Sequence, residues 1–309
     1  MGAAVGIPVA ILAAAFLALG AQLQNQGASR VDDATPDGKR FGLEQLIALI
    51  SSPRWLGGST ILGIAVALQL VSLLFAPIAV VQPIGALSLV ITVLLDTRMN
   101  RARIPRKAVV AIGLCLLGVT AFVVTAALTT TSGSPTPFAI GVVLAVLGAV
   151  LAVLGVVLLR LRKHRSALRS ALAAGLLFGF VATLAKLVIG RLSQIVSEGS
   201  GFGPADWLTL ACVVALLATG AIGLSLVQAA YAAGSPDLVV AALTVIDPLV
   251  AVTIGVAVLG EAAHAPLWAF VVFAVAEAVA IVGVLRLARH QPEPGSRDEE
   301  PDPVGSVTT

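Results

Sequence analysis

Three charged residues lie inside apolar stretches that are long enough to cross a bilayer, where charge is costly. Asp247 is followed by Pro248 near the middle of one stretch, Glu277 lies near the middle of the next, and Lys186 lies in the outer part of a third. A charge at the centre of a spanning helix costs about 2.5–3.5 kcal/mol on insertion scales, so it usually faces a cavity or a partner. These three residues are therefore candidates for a transport site.

Two interpretations of these charges remain open from the sequence. In the first, Asp247 binds a cation or a proton and is the candidate metal ligand, with Glu277 as a second carboxylate and Lys186 as a counter-charge. Pro248 would contribute a helix break, because it leaves a backbone carbonyl without its donor. In the second, Lys186 pairs with Asp247 or Glu277 in a buried salt bridge that fixes helix register.

Neutral polar residues supply further candidates. Gln69, Gln82 and Gln228 could line a transport path or form hydrogen bonds between helices. Pro83 follows Gln82 directly and predicts a kinked or broken helix at that point. The polar cluster Gln22–Gln26 closes the first apolar stretch, and we interpret it as structural.

The composition indicates that lipid is the solvent for most of the chain. Hydrophobic residues make up 58% of the 309 positions and charged residues only 11%, against about 25% in soluble proteins. Stretches of roughly 20 apolar residues span a bilayer as helices. Nine such stretches are predicted: residues 3–22, 55–75, 78–95, 108–128, 138–159, 168–190, 207–230, 238–259 and 266–287.

The basic residues predict the orientation of these spans. All but two of the 19 Lys and Arg residues, Lys186 and Arg191, fall in four segments that an N-out, C-in arrangement places in the cytoplasm. The expected location is the inner cell membrane. Residues 41–52 are predicted to form an amphipathic segment at the cytoplasmic surface, and residues 289–309 a disordered tail.

A short internal repeat suggests two halves of opposite orientation. Residues 77–81 resemble residues 236–240, and the first copy opens a span that runs inwards while the second opens a span that runs outwards. Inverted repeats of this kind place substrate near the midplane between them. We therefore predict two inverted-topology repeats, residues 1–128 with four spans and residues 129–288 with five.

Small residues and one further carboxylate are assigned to structure. Glycines recur every seven residues in the fifth span and four residues apart in the sixth, and both patterns predict close helix packing. The residues concerned are Gly141, Gly148, Gly155, Gly175 and Gly179. Glu261 lies at a helix end, where a cap or a loop contact is expected. Cys115 and Cys212 lie in apolar stretches and are read as small core residues.

The stretch Phe75–Ser88, with its Phe-Ala-Pro and Pro-Ile-Gly-Ala-Leu-Ser segments, resembles the NIPA-type magnesium transporters of the drug/metabolite transporter superfamily. Leu259–Glu261 is similar to the Leu-Gly-Glu that ends a helix across that superfamily. The resemblance implies a transporter with nine spans. Two departures bear on magnesium: Gln22–Gly27 replaces the family's lysine cluster, and the first half lacks an acidic residue corresponding to Glu261.

The predicted function is secondary transport of a small solute, with a divalent cation such as magnesium suggested by the resemblance. An exporter of a small metabolite or drug is the alternative, and a non-transporting membrane scaffold or accessory subunit is the second. No enzyme activity or cofactor is expected, because the chain lacks the phosphate-binding loop motif and its three histidines lie in loops or the tail. The expected partners are the bilayer and an ion or small molecule, with a homodimer left open and no nucleic acid.

Overall fold

A computed structural model describes the chain in seven segments: residues 2–33, 51–99, 106–131, 136–160, 166–198, 207–233 and 236–288. Every regular element in these segments is a helix. Most of the predicted amphipathic segment 41–52 and the whole of the predicted tail 289–309 lie outside the described residues.

The described residues form ten helices in chain order. They are α1 (Gly2–Asp33), α2 (Pro53–Phe75), α3 (Ile78–Gly85), α4 (Leu87–Met99), α5 (Arg106–Thr129), α6 (Pro137–Arg160), α7 (Ala167–Glu198), α8 (Trp207–Tyr231), α9 (Pro236–Ala257) and α10 (Leu267–Ala288). Within these segments nine helical stretches are long and apolar enough to span a membrane, since α3 and α4 share the stretch Ile78–Leu95. The prediction of an all-helical membrane protein with nine spans is confirmed.

Local sequence explains where these helices begin and end. Helix α2 starts at Pro53. Proline has no N–H, and this costs nothing in the first turn, because the N–H groups of the first turn have no partner within the helix. It ends at Phe75 because Ala76 adopts an extended conformation directly before Pro77, and a residue preceding proline is disfavoured in the helical region. Helix α3 then begins at Ile78 with Pro77 as its N-cap. The turn between the second and third spans is therefore set by Ala76-Pro77.

The buried side chains form two main groups that do not follow chain order. One group joins α1–α5 with α10 and with Ala251 of α9. The other joins α6, α7 and α8 with Ile254 of α9. Phe122 of α5 and Phe273 of α10 stack with their ring centroids 4.8 Å apart. The last helix thus packs into the core of the first half of the chain, and α9 contributes to both cores.

Glycines allow the close crossing of α5 and α10. A side chain at Gly118 would meet the backbone of Ala276 and Ala280, and one at Gly283 would meet the backbone of Ala111 and Cys115. Backbone atoms of packed helices cannot move aside easily, so only a residue without a Cβ fits at these two positions. Cys115 and Cys212 are free and buried, as their apolar surroundings predicted.

The two predicted glycine patterns have opposite outcomes. Gly175 and Gly179 of α7 face α9, where an added Cβ would lie 2.9 Å from the Ile246 Cβ and 2.6 Å from the Val250 Cβ, respectively. The expected close packing is correct there. It is wrong for Gly141, Gly148 and Gly155 of α6, because a Cβ at each of them would have no atom within 4 Å. A seven-residue spacing aligns small residues on one face, but it does not place a neighbouring helix against that face.

Candidate transport site

The third span is interrupted near its middle. Helix α3 ends at Gly85 and α4 begins at Leu87, close to Pro83, which lacks a backbone N–H. Short-range bonds cover the junction, with the Ala86 N–H donating to the Pro83 carbonyl and the Ser88 hydroxyl donating to the Gly85 carbonyl at 2.7 Å. Helix α3 is a separate eight-residue helix that is buried over most of its length.

Asp247 lies in the middle of α9 with its backbone against α7. An added Cβ at Gly179 would lie 2.9 Å from the Asp247 carbonyl oxygen, so glycine at that position lets the two helices approach. Oδ1 of Asp247 is buried and has no hydrogen-bond partner within the described part of the chain. An unpartnered carboxylate oxygen in an apolar span is costly. Pro248 does not break α9, which continues to Ala257, so the predicted helix break is wrong and the proline removes only one backbone donor.

Gln82 of α3 presents a second buried group without a partner. Its side chain is 4% exposed, and its Nε2 has no acceptor among the described residues. Gln82 lies four residues after Ile78, and Asp247 lies eight residues before Gly255, which is beside Ile78. Ile78 and Gly255 therefore mark one level along the bundle axis. At 1.5 Å per residue, Gln82 lies about 6 Å from this level along α3, and Asp247 lies about 12 Å from it along α9. The two unpartnered groups therefore lie within about one helical turn of each other along the bundle axis.

The remaining sequence candidates are dispersed over other helices. Glu277 is half-buried on α10, Gln69 is half-buried on α2, and Gln228 is exposed near the end of α8. No described hydrogen bond joins any of them to Asp247. Their assignment to a transport path stays a prediction. Gln24 donates from Nε2 to the Ser59 hydroxyl at 2.8 Å, which ties α1 to α2 and favours the structural interpretation of its polar cluster.

Lys186 pairs with Glu261. The Lys186 Nζ lies 2.5 Å from Oε1 of Glu261, and the two side chains are 12% and 2% exposed. The same Oε1 accepts the Ile78 N–H at 2.9 Å, and Oε2 accepts the Ala79 N–H at 3.1 Å. Lys186 also donates to the Ala76 carbonyl at 3.3 Å. We name this arrangement, formed by Lys186, Glu261 and residues 76–79, the Lys186–Glu261 clasp.

The expectation that Lys186 pairs with Asp247 or Glu277 is wrong. The partner of Lys186 is Glu261, for which the sequence predicted a helix cap or a loop contact. Glu261 does cap a helix, but the helix is α3 and not α9, which precedes Glu261 in the chain. Gly260, with φ at +69°, turns the chain after α9 so that Glu261 points back into the bundle. The sequence signal for this turn is Gly260 itself, because glycine has no Cβ and readily adopts a positive φ.

In the described part of the chain, no three His, Cys, Asp or Glu side chains gather closely enough to hold a metal ion in a protein-made cage. Glu261 is buried, while Lys186, Asp247 and Glu277 are partly buried, and these four charged residues are spread over α7, α9, α10 and the α9–α10 connection.

Nine apolar helices, an interrupted span and charges buried in the membrane-spanning part define the class of the protein as a multi-pass membrane protein of the transporter type. Residues 2–139 match the family model of the magnesium transporter NIPA. Residues 2–139 are therefore similar to this family, and the resemblance inferred from the motifs is confirmed over that part of the chain. The match covers α1–α5 and the start of α6, while α7 and α9, which carry Lys186 and Asp247, lie beyond it.

A relative with similarity along most of the chain is an uncharacterised protein of Corynebacterium glutamicum. It is 27% identical over 267 residues, which cover 84% of this chain and 88% of the relative. No solved structure matches the chain.

Proposed function

We propose that this protein is a secondary transporter that carries a divalent cation, with magnesium as the expected substrate, past Asp247 in the middle of α9. The observation that carries the proposal is the buried Oδ1 of Asp247, which has no hydrogen-bond partner among the described residues. A carboxylate oxygen in this position gains most from a cation that binds it, because nothing else described offsets the cost of its burial.

The ligand set favours a hydrated ion over one stripped of its water. Mg²⁺ dehydrates reluctantly and is usually held by one or two carboxylates together with several waters. A single carboxylate, with Gln82 offset from it by about one helical turn along the bundle axis, suits such an ion better than a cage of three or more protein ligands. The match of residues 2–139 to the magnesium transporter NIPA supports the same substrate class.

The arrangement of the helices supports alternating access between two repeats. Helices α1 and α2 pair in the first half as α7 and α8 do in the second, and the central α3 and α9 contact each other. Equivalent partners in the two halves are what two inverted repeats require. We place the amino terminus outside and the described clasp at the outer end of the bundle, in the inner cell membrane, following the distribution of basic residues.

The test is magnesium entry into proteoliposomes that contain the purified protein, followed with an enclosed magnesium-sensitive dye. We expect entry above the level of empty liposomes, and we expect Asp247→Asn to abolish it while the protein remains folded. Thr253→Val serves as the control on the same helix, because the Thr253 hydroxyl is on an exposed face and bonds only to the Leu249 carbonyl. That variant should transport like the parent.

The outcomes separate the candidate functions. Entry that persists in Asp247→Asn would remove Asp247 from the transport path. No entry above empty liposomes, with the protein inserted and folded, would refute magnesium as the substrate and leave a small metabolite or drug as the substrate class to screen.

A further inference from the structure

The Lys186–Glu261 clasp joins three parts of the molecule that are distant in sequence. Lys186 belongs to α7, Glu261 to the connection between α9 and α10, and residues 76–79 to the turn that starts α3. The ion pair is separated by 75 residues, and the bond from Ile78 to Glu261 by 183. The clasp therefore ties the short buried helix of the first half to two elements of the second half.

The clasp also has a defined position relative to Asp247. Gly179 of α7 lies against the Asp247 backbone, and Lys186 follows Gly179 by seven residues on the same helix. Seven residues correspond to about 10 Å along a helix. The clasp is thus about two helical turns from Asp247, at the end of the bundle where α2 turns into α3.

The start of helix α3 is held by charge. The Glu261 carboxylate accepts the first two N–H groups of α3, where the positive end of the helix dipole favours an anion. The apolar residues of α3, up to Ile84, pack in the first core, whereas Gly85 at its end would have no atom within 4 Å of an added Cβ. Releasing the carboxylate would therefore remove the charged attachment at the start of α3 and leave its apolar packing.

The segment that carries Glu261 has a second attachment that does not depend on the ion pair. The Thr131 N–H donates to the Glu261 carbonyl at 2.9 Å, and the Glu261 N–H donates to the Gly255 carbonyl at 3.0 Å. The backbone of Glu261 is therefore held by bonds that do not involve its carboxylate, and release of the side chain would leave these bonds in place.

We propose that the Lys186–Glu261 clasp closes the transport path at its end of the bundle by holding α3 against α7 and the α9–α10 connection. Opening the path to Asp247 from that end requires the carboxylate to release Lys186 and the start of α3. The inference rests on the proposed transport function, but it does not depend on magnesium as the substrate.

The test measures access to the path without any substrate. Cys115 and Cys212 are replaced by alanine, and Gln82→Cys places a single thiol on α3 one helical turn from the clasp. The protein is reconstituted in liposomes, and a membrane-impermeant thiol reagent is added to either side. The parent clasp is compared with Lys186→Met, Glu261→Gln and Lys186→Arg, and with Arg191→Gln as a charge-removing control on the same helix.

We expect Lys186→Met and Glu261→Gln to raise the labelling rate at position 82 by roughly tenfold or more, from one side of the membrane only. Removing one partner of a buried ion pair costs the closed form more than the roughly 1.4 kcal/mol that a tenfold population shift requires. Lys186→Arg should keep the rate low because it preserves the charge pair, and Arg191→Gln should leave it unchanged.

Two results would overturn the proposal. One is an unchanged labelling rate in Lys186→Met and Glu261→Gln proteins whose thermal unfolding matches the parent. The other is loss of folding in both variants, which would make the pair a folding element. The labelling measurement needs no transported substrate. Absence of magnesium entry would therefore refute magnesium as the substrate, but it would not decide whether the clasp closes the path.

Discussion

Replacing Gly118 with alanine is expected to destabilise the protein, whereas the same replacement at Gly148 is not. A Cβ at Gly118 would come closer than 3.0 Å to the Ala276 carbonyl oxygen and to backbone atoms of Ala280. Both residues belong to α10, which crosses α5 at this point. At Gly148 on α6, the added Cβ would have no atom within 4 Å.

The expected size follows from comparing the two variants with each other. Both exchange glycine for alanine inside an apolar helix, so the gain in helix propensity, up to about 1 kcal/mol, is common to both and cancels in the difference. What remains is the cost of forcing extra volume into a close-packed crossing, typically about 1–3 kcal/mol. The atoms that an added Cβ at Gly118 would meet belong to the backbone of α10, so a change of side-chain rotamer cannot relieve the clash.

The assay is thermal unfolding of the purified protein followed with a thiol-reactive fluorescent dye, which reports on Cys115 and Cys212 because both are buried. In soluble domains of 150–250 residues, 1 kcal/mol corresponds to about 2–4 °C in Tm. We therefore expect the Tm of Gly118→Ala to lie several degrees below that of Gly148→Ala. Equal Tm values for the two variants would refute the close crossing of α5 and α10.

Two further predictions concern the crossing of α1 with α2. Gly6→Ala should lower Tm, and adding Ala76→Gly should restore much of the loss, because the nearest obstacle is the Ala76 Cβ at 2.5 Å; a double variant no more stable than Gly6→Ala would contradict this. Ser72→Ala should destabilise the protein by roughly 0.5–1.5 kcal/mol, since its hydroxyl donates to the Gly6 carbonyl at 2.8 Å in a buried position. An unchanged Tm for that variant would show that the bond contributes nothing.

The number and approximate bounds of the spans could be predicted because they depend on local composition. A stretch of about 20 apolar residues must form a helix in lipid, whatever lies around it. The predicted span 78–95 coincides with the stretch Ile78–Leu95, and the interruption falls beside Pro83, whose missing N–H is also a local property. The assignment of Gly175 and Gly179 to packing was also correct, because α9 happens to pass the face on which their four-residue spacing places them.

The fate of the other glycines shows where local pattern stops. Gly141, Gly148 and Gly155 have a regular spacing, yet they face no neighbour, while Gly118 and Gly283 have no partner at a helical spacing and lie at a close crossing. Whether a small residue is needed depends on which helix passes that face. Helix α10 passes Gly118 because it packs into the first core, and the local sequence around Gly118 does not indicate this packing.

The sequence by itself determined that Lys186, Asp247 and Glu277 lie in membrane-spanning helices and that each needs compensation, because a charge inside a spanning helix is costly unless it is paired or faces a cavity. Only the tertiary structure decided that Lys186 is compensated by Glu261 and by the start of α3, and that Oδ1 of Asp247 is left without a described partner. The physical reason is that an ion pair is selected by distance in space. Residues 75 positions apart meet only after α7 and the α9–α10 connection have packed against the same end of α3.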